Sequence, residues 1–243
     1  LIGNTFIKVW FNVGNDSFKT PVTFENLPQF MKGTSGYRFA DVNVDGFRDL
    51  LINDESSNDR YQYVDFNNGV HPNILTKISN GLGMETTIEY KSSTEYYIDD
   101  RDFGKPWTTR VPFPIQVVSK VTGKDLNSGQ EYITDYFYRD GYYDGAEKEF
   151  RGFADVRKIT YGEASAPTLL TSYVFDVGKE EESRKGMVKS MAALTENGTI
   201  TPPAGLFDKE DNTIITRNLL TGTNGEKVRF SFTAAKSRSV YEN

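Results

Sequence analysis

Residues 132–153 read YITDYFYRDGYYDGAEKEFRGF, and this stretch decides the fold class. Residues 132–138 are rich in Tyr, Phe, Ile and Thr, a composition typical of β-strands. The Asp144-Gly145 pair suits a tight hairpin turn, because both residue types tolerate a positive φ. Large apolar residues return at 149–153. The stretch therefore predicts two antiparallel strands joined by a short turn.

The same alternation of short strands and turns recurs along the chain. Residues 86–91, 169–175 and 228–233 are also rich in aromatic and β-branched residues or alternate with polar ones. Further Asx-Gly pairs lie at Asp45-Gly46, Asn68-Gly69, Asn80-Gly81, Asp140-Gly141, Asn197-Gly198 and Asn224-Gly225. This pattern predicts an all-β protein whose antiparallel β-sheets are made of consecutive hairpins.

Residues 179–194 allow two interpretations. The charged run at 180–185 has helix propensity, but Gly186 interrupts it. Residues 187–191 can equally form a strand that leads to the Asn197-Gly198 turn. We favour the strand, because the segments on both sides are hairpin-like.

Composition excludes several classes of protein. The chain has 243 residues and a net charge of −6, and this mild acidity argues against a nucleic-acid or anionic-membrane partner. The absence of Cys excludes a disulfide scaffold, a Cys-ligated zinc site and a thiol nucleophile, and a single His, His71, excludes a His-rich metal site. No window approaches the roughly 18 apolar residues of a membrane-spanning helix.

The chain begins at Leu1 rather than Met and shows no leader-like segment, so we interpret it as a piece of a larger protein. Asx-, Pro- and Gly-rich joints occur near 67–72 and 164–167, with a third loop at 201–205. The domains predicted from these joints are 1–70, 71–165 and 166–243.

Residues 41–50, DVNVDGFRDL, form the sharpest local motif. Oxygen-bearing side chains occupy positions 1, 3, 5 and 9, and Gly46 at position 6 permits a sharp turn. Calcium takes about six to eight oxygen ligands in such loops. The candidate ligands are Asp41, Asn43, Asp45, the Phe47 carbonyl and Asp49, completed by water. The alternative is an Asx-rich turn that is closed by its own hydrogen bonds and needs no metal.

This loop, entering a strand at 50–52, resembles the FG-GAP (VCBS-type) repeat of integrin-like β-propellers. Residues 8–18 resemble the strand, turn and strand that end one blade of such a propeller, although Asn15-Asp16 stands where that family usually has Asp-Gly. A propeller needs about four to eight blades. We therefore expect residues 1–70 to form a single blade-like unit with a site for Ca²⁺.

Four further stretches resemble toxin-complex B components and SpvB-type proteins. Residues 78–97 resemble the pattern NGLG-x-x-T-x-I-x-Y-x-x-S-T of these proteins, and 107–118 match W-x-x-x-x-P-x-P-x-x-V-V. Residues 135–153 resemble Y-x-Y-x-x-G-x-Y-D followed by E-F-R-G-F, and 237–242 resemble a later strand. The resemblance extends over residues 75–243.

This second resemblance implies a non-enzymatic structural role in toxin delivery. In these families a propeller is followed by Rhs (YD-repeat) strands that form a hollow shell around a C-terminal toxin. The implied partners are the rest of the parent chain and, through the parent's propeller, the pore-forming toxin-complex A component. The implied location is secreted or extracellular, in bacteria.

Two other functions compete with this one: a Ca²⁺-stabilised, integrin-like adhesion module and an enzyme. An enzyme would need paired carboxylates, but we interpret Glu147 and Glu149 as a solvated pair and residues 99–102 as an exposed charged loop. Pairing of Arg151 with a Glu, between two core Phe residues, explains 149–153 without catalysis. No phosphate-binding loop, nucleophile elbow or zinc motif is present in the sequence.

Overall fold

The computed structural model describes residues 6–25, 36–53, 61–69, 71, 73–162, 167–195, 206–223 and 225–240. The expected turn at Asn197-Gly198, the loop at 201–205 and most of the joint at 164–167 lie outside the described residues. The contacts divide the chain into an N-terminal unit, Leu1–Pro72, and a C-terminal unit, Asn73–Asn243. The division into three domains stays a prediction.

The N-terminal unit is built from short antiparallel strands. They are β1 (Ile7–Val9), β2 (Asn12–Gly14), β3 (Ser17–Phe18), β4 (Val22–Phe24), β5 (Gly36–Ala40), β6 (Asp49–Asn53) and β7 (Tyr61–Val64). Strand β1 pairs with β4, β2 pairs with β3, and β5, β6 and β7 form a three-stranded sheet. Ile7, Leu50, Ile52 and Val64 form the buried core, as expected for alternating apolar residues on strands.

The C-terminal unit contains one nine-stranded antiparallel sheet. Its strands are β8 (Lys77–Ser79), β9 (Met84–Ser92), β10 (Gln116–Asp125), β11 (Glu131–Asp144), β12 (Glu149–Thr160), β13 (Leu169–Asp176), β14 (Met187–Thr195), β15 (Leu206–Thr221) and β16 (Lys227–Val240). Each strand pairs with the next one in the chain, so the order in the sheet is the order in the sequence. The predicted all-β fold of consecutive antiparallel hairpins is confirmed.

The hairpin predicted at residues 132–153 is present, with Tyr143 opposite Phe150 and Asp144 opposite Glu149. The strand favoured for 179–194 is also present, as β14, and a short 3₁₀ turn at Glu182–Arg184 occupies the half with helix propensity. Asp140-Gly141, by contrast, lies within β11 rather than at a turn, although Asp140 has a positive φ of 52°.

The expected loop at residues 99–102 is wrong, because these residues end a helix, α1 (Ser93–Asp102). A reciprocal capping box starts the helix: the Ser92 side chain accepts from the Thr94 N–H, and the Glu95 carboxylate accepts from the Ser92 N–H. The buried Tyr96 fixes the helix on the sheet by donating its hydroxyl to the Tyr136 carbonyl at 2.8 Å. Burial raises the pKa of the Tyr96 hydroxyl, which therefore stays protonated as a donor.

Candidate functional site

The acidic loop connects β5 to β6 and is closed by its own hydrogen bonds. The carboxylate of Asp49 is fully buried and accepts from the Val42 N–H at 2.9 Å. Asp41 accepts from the Gly46 N–H at 3.0 Å, and Asp45 accepts from the Phe47 N–H at 2.8 Å. Gly46 has a φ of 94°, so the position requires the freedom of glycine. The predicted residues therefore share one tight turn.

Sequence reasoning missed Asp65, which follows β7 and contacts this loop. The Asn43 amide donates to the Asp45 carboxylate at 3.0 Å and to the Asp65 carboxylate at 3.2 Å. Asp65 also accepts from the Asn67 N–H at 2.7 Å, closing a second Asx turn. The signal for this residue was the Asx-rich run at 65–68.

The fit of this loop to calcium is partial. One oxygen each of Asp41 and Asp49 is buried and has no hydrogen-bond partner among the described residues, so two hard oxygen donors are available. Burial raises the pKa of Asp41, and the nearby charges of Asp45 and Asp49 raise it further. The hydrogen bond from the Gly46 N–H acts in the opposite direction and lowers this pKa. Yet no three acidic, His or Cys side chains of the described part of the chain converge as a metal cluster.

The ring of Phe47 lies edge-on against His71, with 4.5 Å between ring centroids. The phenyl ring carries no oxygen, so Phe47 can offer only its backbone carbonyl to a calcium ion. Calcium binding by the five predicted residues stays a prediction.

A second feature is the segment at residues 103–115, here called the strap, which connects α1 to β10 and contacts β11. Thr108 donates its hydroxyl to Asp140 at 2.9 Å, and Thr109 donates to the Gly141 carbonyl at 2.7 Å. Arg139 donates to the Lys105 carbonyl at 2.8 Å. Two motifs that the sequence presents separately, 107–118 and 135–153, are thus in direct contact.

The strap packs tightly because β11 carries a glycine beneath it. A Cβ built on Gly141 would lie 2.7 Å from a methyl group of Val111 and 3.0 Å from the Phe153 ring. Trp107 is held in the strap by its indole N–H, which donates to Asp100 at 2.7 Å. Its ring meets the Tyr97 ring edge-on at 5.7 Å.

The third feature, here called the Arg151 brace, explains the E-F-R-G-F motif. The Arg151 side chain is 3% exposed and lies 3.1 Å from Asp144, 3.4 Å from Glu149 and 3.3 Å from Glu182. It also donates to the buried Gly178 carbonyl at 2.9 Å. The brace ties the β11–β12 hairpin to the connection between β13 and β14.

Two carboxylates of the brace, those of Asp144 and Glu149, are held ionised. Backbone N–H groups of the turn, Glu147 first, lower the pKa of Asp144, and Arg151 contributes further. The Lys185 ammonium, 2.7 Å away, lowers the pKa of Glu149, with a smaller contribution from Arg151. Glu149 remains partly solvated, with its side chain 42% exposed, and it also pairs with the cations of Lys185 and Arg151.

The connection at residues 177–186 also reaches the last two strands. Arg184 donates to the Thr216 hydroxyl on β15 at 2.8 Å, and the hydroxyls of Ser183 and Ser231 on β16 lie 2.7 Å apart. Glu181 pairs with Arg229 on β16. These charged and hydroxyl groups form hydrogen bonds and ion pairs with one another, as expected for a structural link.

Comparison with known families gives one match. The model described as the insecticide toxin TcdB middle/N-terminal region matches residues 15–178, more than half of the chain. No curated protein matches. No helix of the described residues is long and apolar enough to cross a bilayer.

Solved structures share the fold. The TcdB2-TccC3-Cdc42 crystal structure superposes with a TM-score of 0.86 at 19% identity, and TcdB2-TccC3 superposes with 0.84 at 19%. The Photorhabdus luminescens Tc holotoxin pore gives 0.86 at 18%. Each match covers 99% of this chain but only 14% of the other, so this chain spans a small part of the length of these relatives.

Proposed function

Because the chain belongs to the family of the TcdB toxin middle/N-terminal region, we propose that it is a non-enzymatic part of the scaffold between propeller and shell that encloses and delivers a C-terminal toxin. The observation that carries the proposal is the nine-stranded sheet in which strand order equals chain order. A wall that grows hairpin by hairpin can be extended to any length without rearranging the strands already present. Such a wall needs stiffness and no catalytic group.

The exposed strand β16 supports an association with further strands of the parent chain. It is an edge of the sheet, and it exposes Val228, Phe230 and Val240 by more than half. A long edge strand that exposes apolar side chains among charged ones is still a template for pairing with another strand. We propose that the parent chain covers this edge.

The named relatives support a proposal on partners and location. TcdB2 occurs in solved structures with TccC3, and a related assembly is a Tc holotoxin pore. We propose that the parent of this chain takes part in a similar secreted bacterial complex and docks on a pore-forming A component through its propeller. This reasoning rests on the family rather than on a contact in the described residues.

We also propose that Ca²⁺ stabilises the acidic loop. Support comes from the oxygen-rich set Asp41, Asn43, Asp45, Phe47 and Asp49 and from the buried oxygens of Asp41 and Asp49 that have no hydrogen-bond partner. When bound, the ion would supply charge compensation for these carboxylates. The loop would have to exchange some of its internal hydrogen bonds for metal ligands.

The scaffold proposal can be tested in the assembled parent complex through the protection of the enclosed toxin from protease. Val156 lies in β12 between Tyr138 and Tyr173 of the flanking strands, so Val156→Pro removes a hydrogen-bond donor within the sheet. We expect this variant to expose the toxin to protease, while Val156→Thr keeps it protected. A complex that still assembles with β12 locally disrupted, as seen by hydrogen exchange, and still protects its toxin fully would contradict the proposal.

A further inference from the structure

A cavity of about 310 Å³ lies between the first turn of α1 and the strap. Its lining residues are Ser93, Thr94, Tyr97, Trp107, Arg110 and Val111. One wall is aromatic, and none of the six lining residues is acidic. Cavities of this size with an apolar wall and few polar groups are typical of small-ligand sites.

The walls of the cavity are held in place before any ligand arrives. Ser93 is buried, its N–H donates to the Ile115 carbonyl at 2.8 Å, and its hydroxyl accepts from the Ile115 N–H at 3.0 Å. Trp107 is fixed by Asp100 and Tyr97. The Ser93 and Trp107 walls therefore need no ordering on binding, and a ligand has to order only the exposed side chain of Arg110.

Arg110 supplies the charge of the cavity. Its neighbours Thr109 and Val111 are anchored on Gly141, so its backbone is fixed. Among the described residues no carboxylate pairs with its guanidinium, in contrast to Arg139 and Arg151. A guanidinium beside a ring is suited to a planar carboxylate, which it can bind with two hydrogen bonds.

The start of α1 does not provide the anion site by itself. The N–H groups of Ser93 and Thr94 are already used, by the Ile115 carbonyl and the Ser92 hydroxyl respectively. The ligand's charge must therefore be met by Arg110. We propose that this cavity binds a small carboxylate with a flat, apolar body, which contacts the Trp107 ring and pairs with Arg110.

The fluorescence of Trp107 reports this binding directly. Trp10 is the other tryptophan and lies in the N-terminal unit, so the Trp10→Phe variant of the full chain leaves Trp107 as the single reporter. The probes are benzoate and its neutral analogue benzamide, which differ in charge but hardly in shape. We expect benzoate to bind with saturation and about ten-fold more tightly than benzamide, the size of one charge-assisted contact.

Variants of arginine separate this site from a general effect of charge. Arg110→Gln should abolish the preference for benzoate, while Arg157→Gln, which removes an exposed arginine paired with Asp155, should retain it. Circular dichroism and the melting temperature check that both variants fold. Acetate lacks the ring and should bind more weakly than benzoate. A comparison of N-acetylphenylalanine with its amide tests whether the end of a peptide chain can supply the carboxylate.

Three results would overturn the inference. The first is an equal affinity for benzoate and benzamide in the Trp10→Phe protein. The second is a preference for benzoate that survives Arg110→Gln in a folded protein. The third is the absence of saturation by either probe.

Discussion

Replacing Arg151 with Met should destabilise the C-terminal unit by about 3 kcal/mol. The methionine side chain fills much of the space of the arginine stem but donates no hydrogen bond. The buried Gly178 carbonyl then loses its partner, and such a loss costs about 1–3 kcal/mol. Loss of a charge that three carboxylates share adds to this cost.

The total stays below the upper end of the range for buried ion pairs, about 3–5 kcal/mol, because the partner carboxylates can regain water. The side chains of Glu149 and Glu182 are 42% and 64% exposed. For a unit of this size, a loss of about 3 kcal/mol lowers the melting temperature by about 6–12 °C. Calorimetry and urea denaturation measure both quantities.

The matched control is Arg157→Met. Arg157 lies on the same strand, is 49% exposed and pairs with Asp155 at 3.4 Å, so its loss should cost less than about 1 kcal/mol. Faster hydrogen exchange at residues 177–186 should accompany Arg151→Met alone. If Arg151→Met were as stable as the control and exchange in the connection were unchanged, the brace would not be a stabilising link.

Three further predictions address the strap, the loop and the brace. Gly141→Ala should destabilise the C-terminal unit by about 1–3 kcal/mol, because its Cβ would clash with the strap. The control, Gly145→Ala, places its Cβ in open space and should change the stability little. Urea denaturation compares the two variants, and equal stability would contradict the tight packing. Calcium should raise the melting temperature of the N-terminal unit, chelator should lower it, and Asp45→Ala should abolish the difference. Calorimetry measures this shift. The absence of a shift, together with no bound ion at millimolar calcium, would refute the site. The folded-state pKa values of Asp144 and Glu149 are lowered. Their contribution to stability is therefore complete above about pH 5 and is lost as the pH falls below about pH 4. A melting temperature of the C-terminal unit that stays constant down to about pH 3 would contradict this prediction.

The sheet could be predicted because its information is local. Alternation at residues 86–91 and the Asp144-Gly145 turn each act within a few residues of the chain, and the structure places a strand and a hairpin there. Helix α1 was missed because its sequence is mostly polar and ends in the charged run 99–102. The local signal that could have revealed it was the capping box from Ser92 to Glu95.

The three structural features were harder to predict, because their partners are distant in sequence. The Gly178 carbonyl lies 27 residues from Arg151, and Asp140 lies 32 residues from Thr108. Nothing in the local pattern of E-F-R-G-F specifies which backbone group its arginine will meet. In the acidic loop the sequence predicts residues that share one turn, but the same oxygens can satisfy either the loop backbone or a metal.

These distant contacts also explain why charged motifs are compatible with the proposed scaffold role. In a sheet whose order equals chain order, pairing alone links each strand only to its neighbours, so pairing does not fix how the sheet curves. Three features join segments that are not paired in the sheet. The strap joins α1 to β11, and the Arg151 brace joins β12 to the connection 177–186. The 3₁₀ turn joins that connection to β15 and β16. Polar links of this kind, such as the buried contact of Arg151 with the Gly178 carbonyl, favour one geometry over others of similar apolar burial. The charged residues at 149–153 therefore have a structural explanation in holding the shape of the sheet.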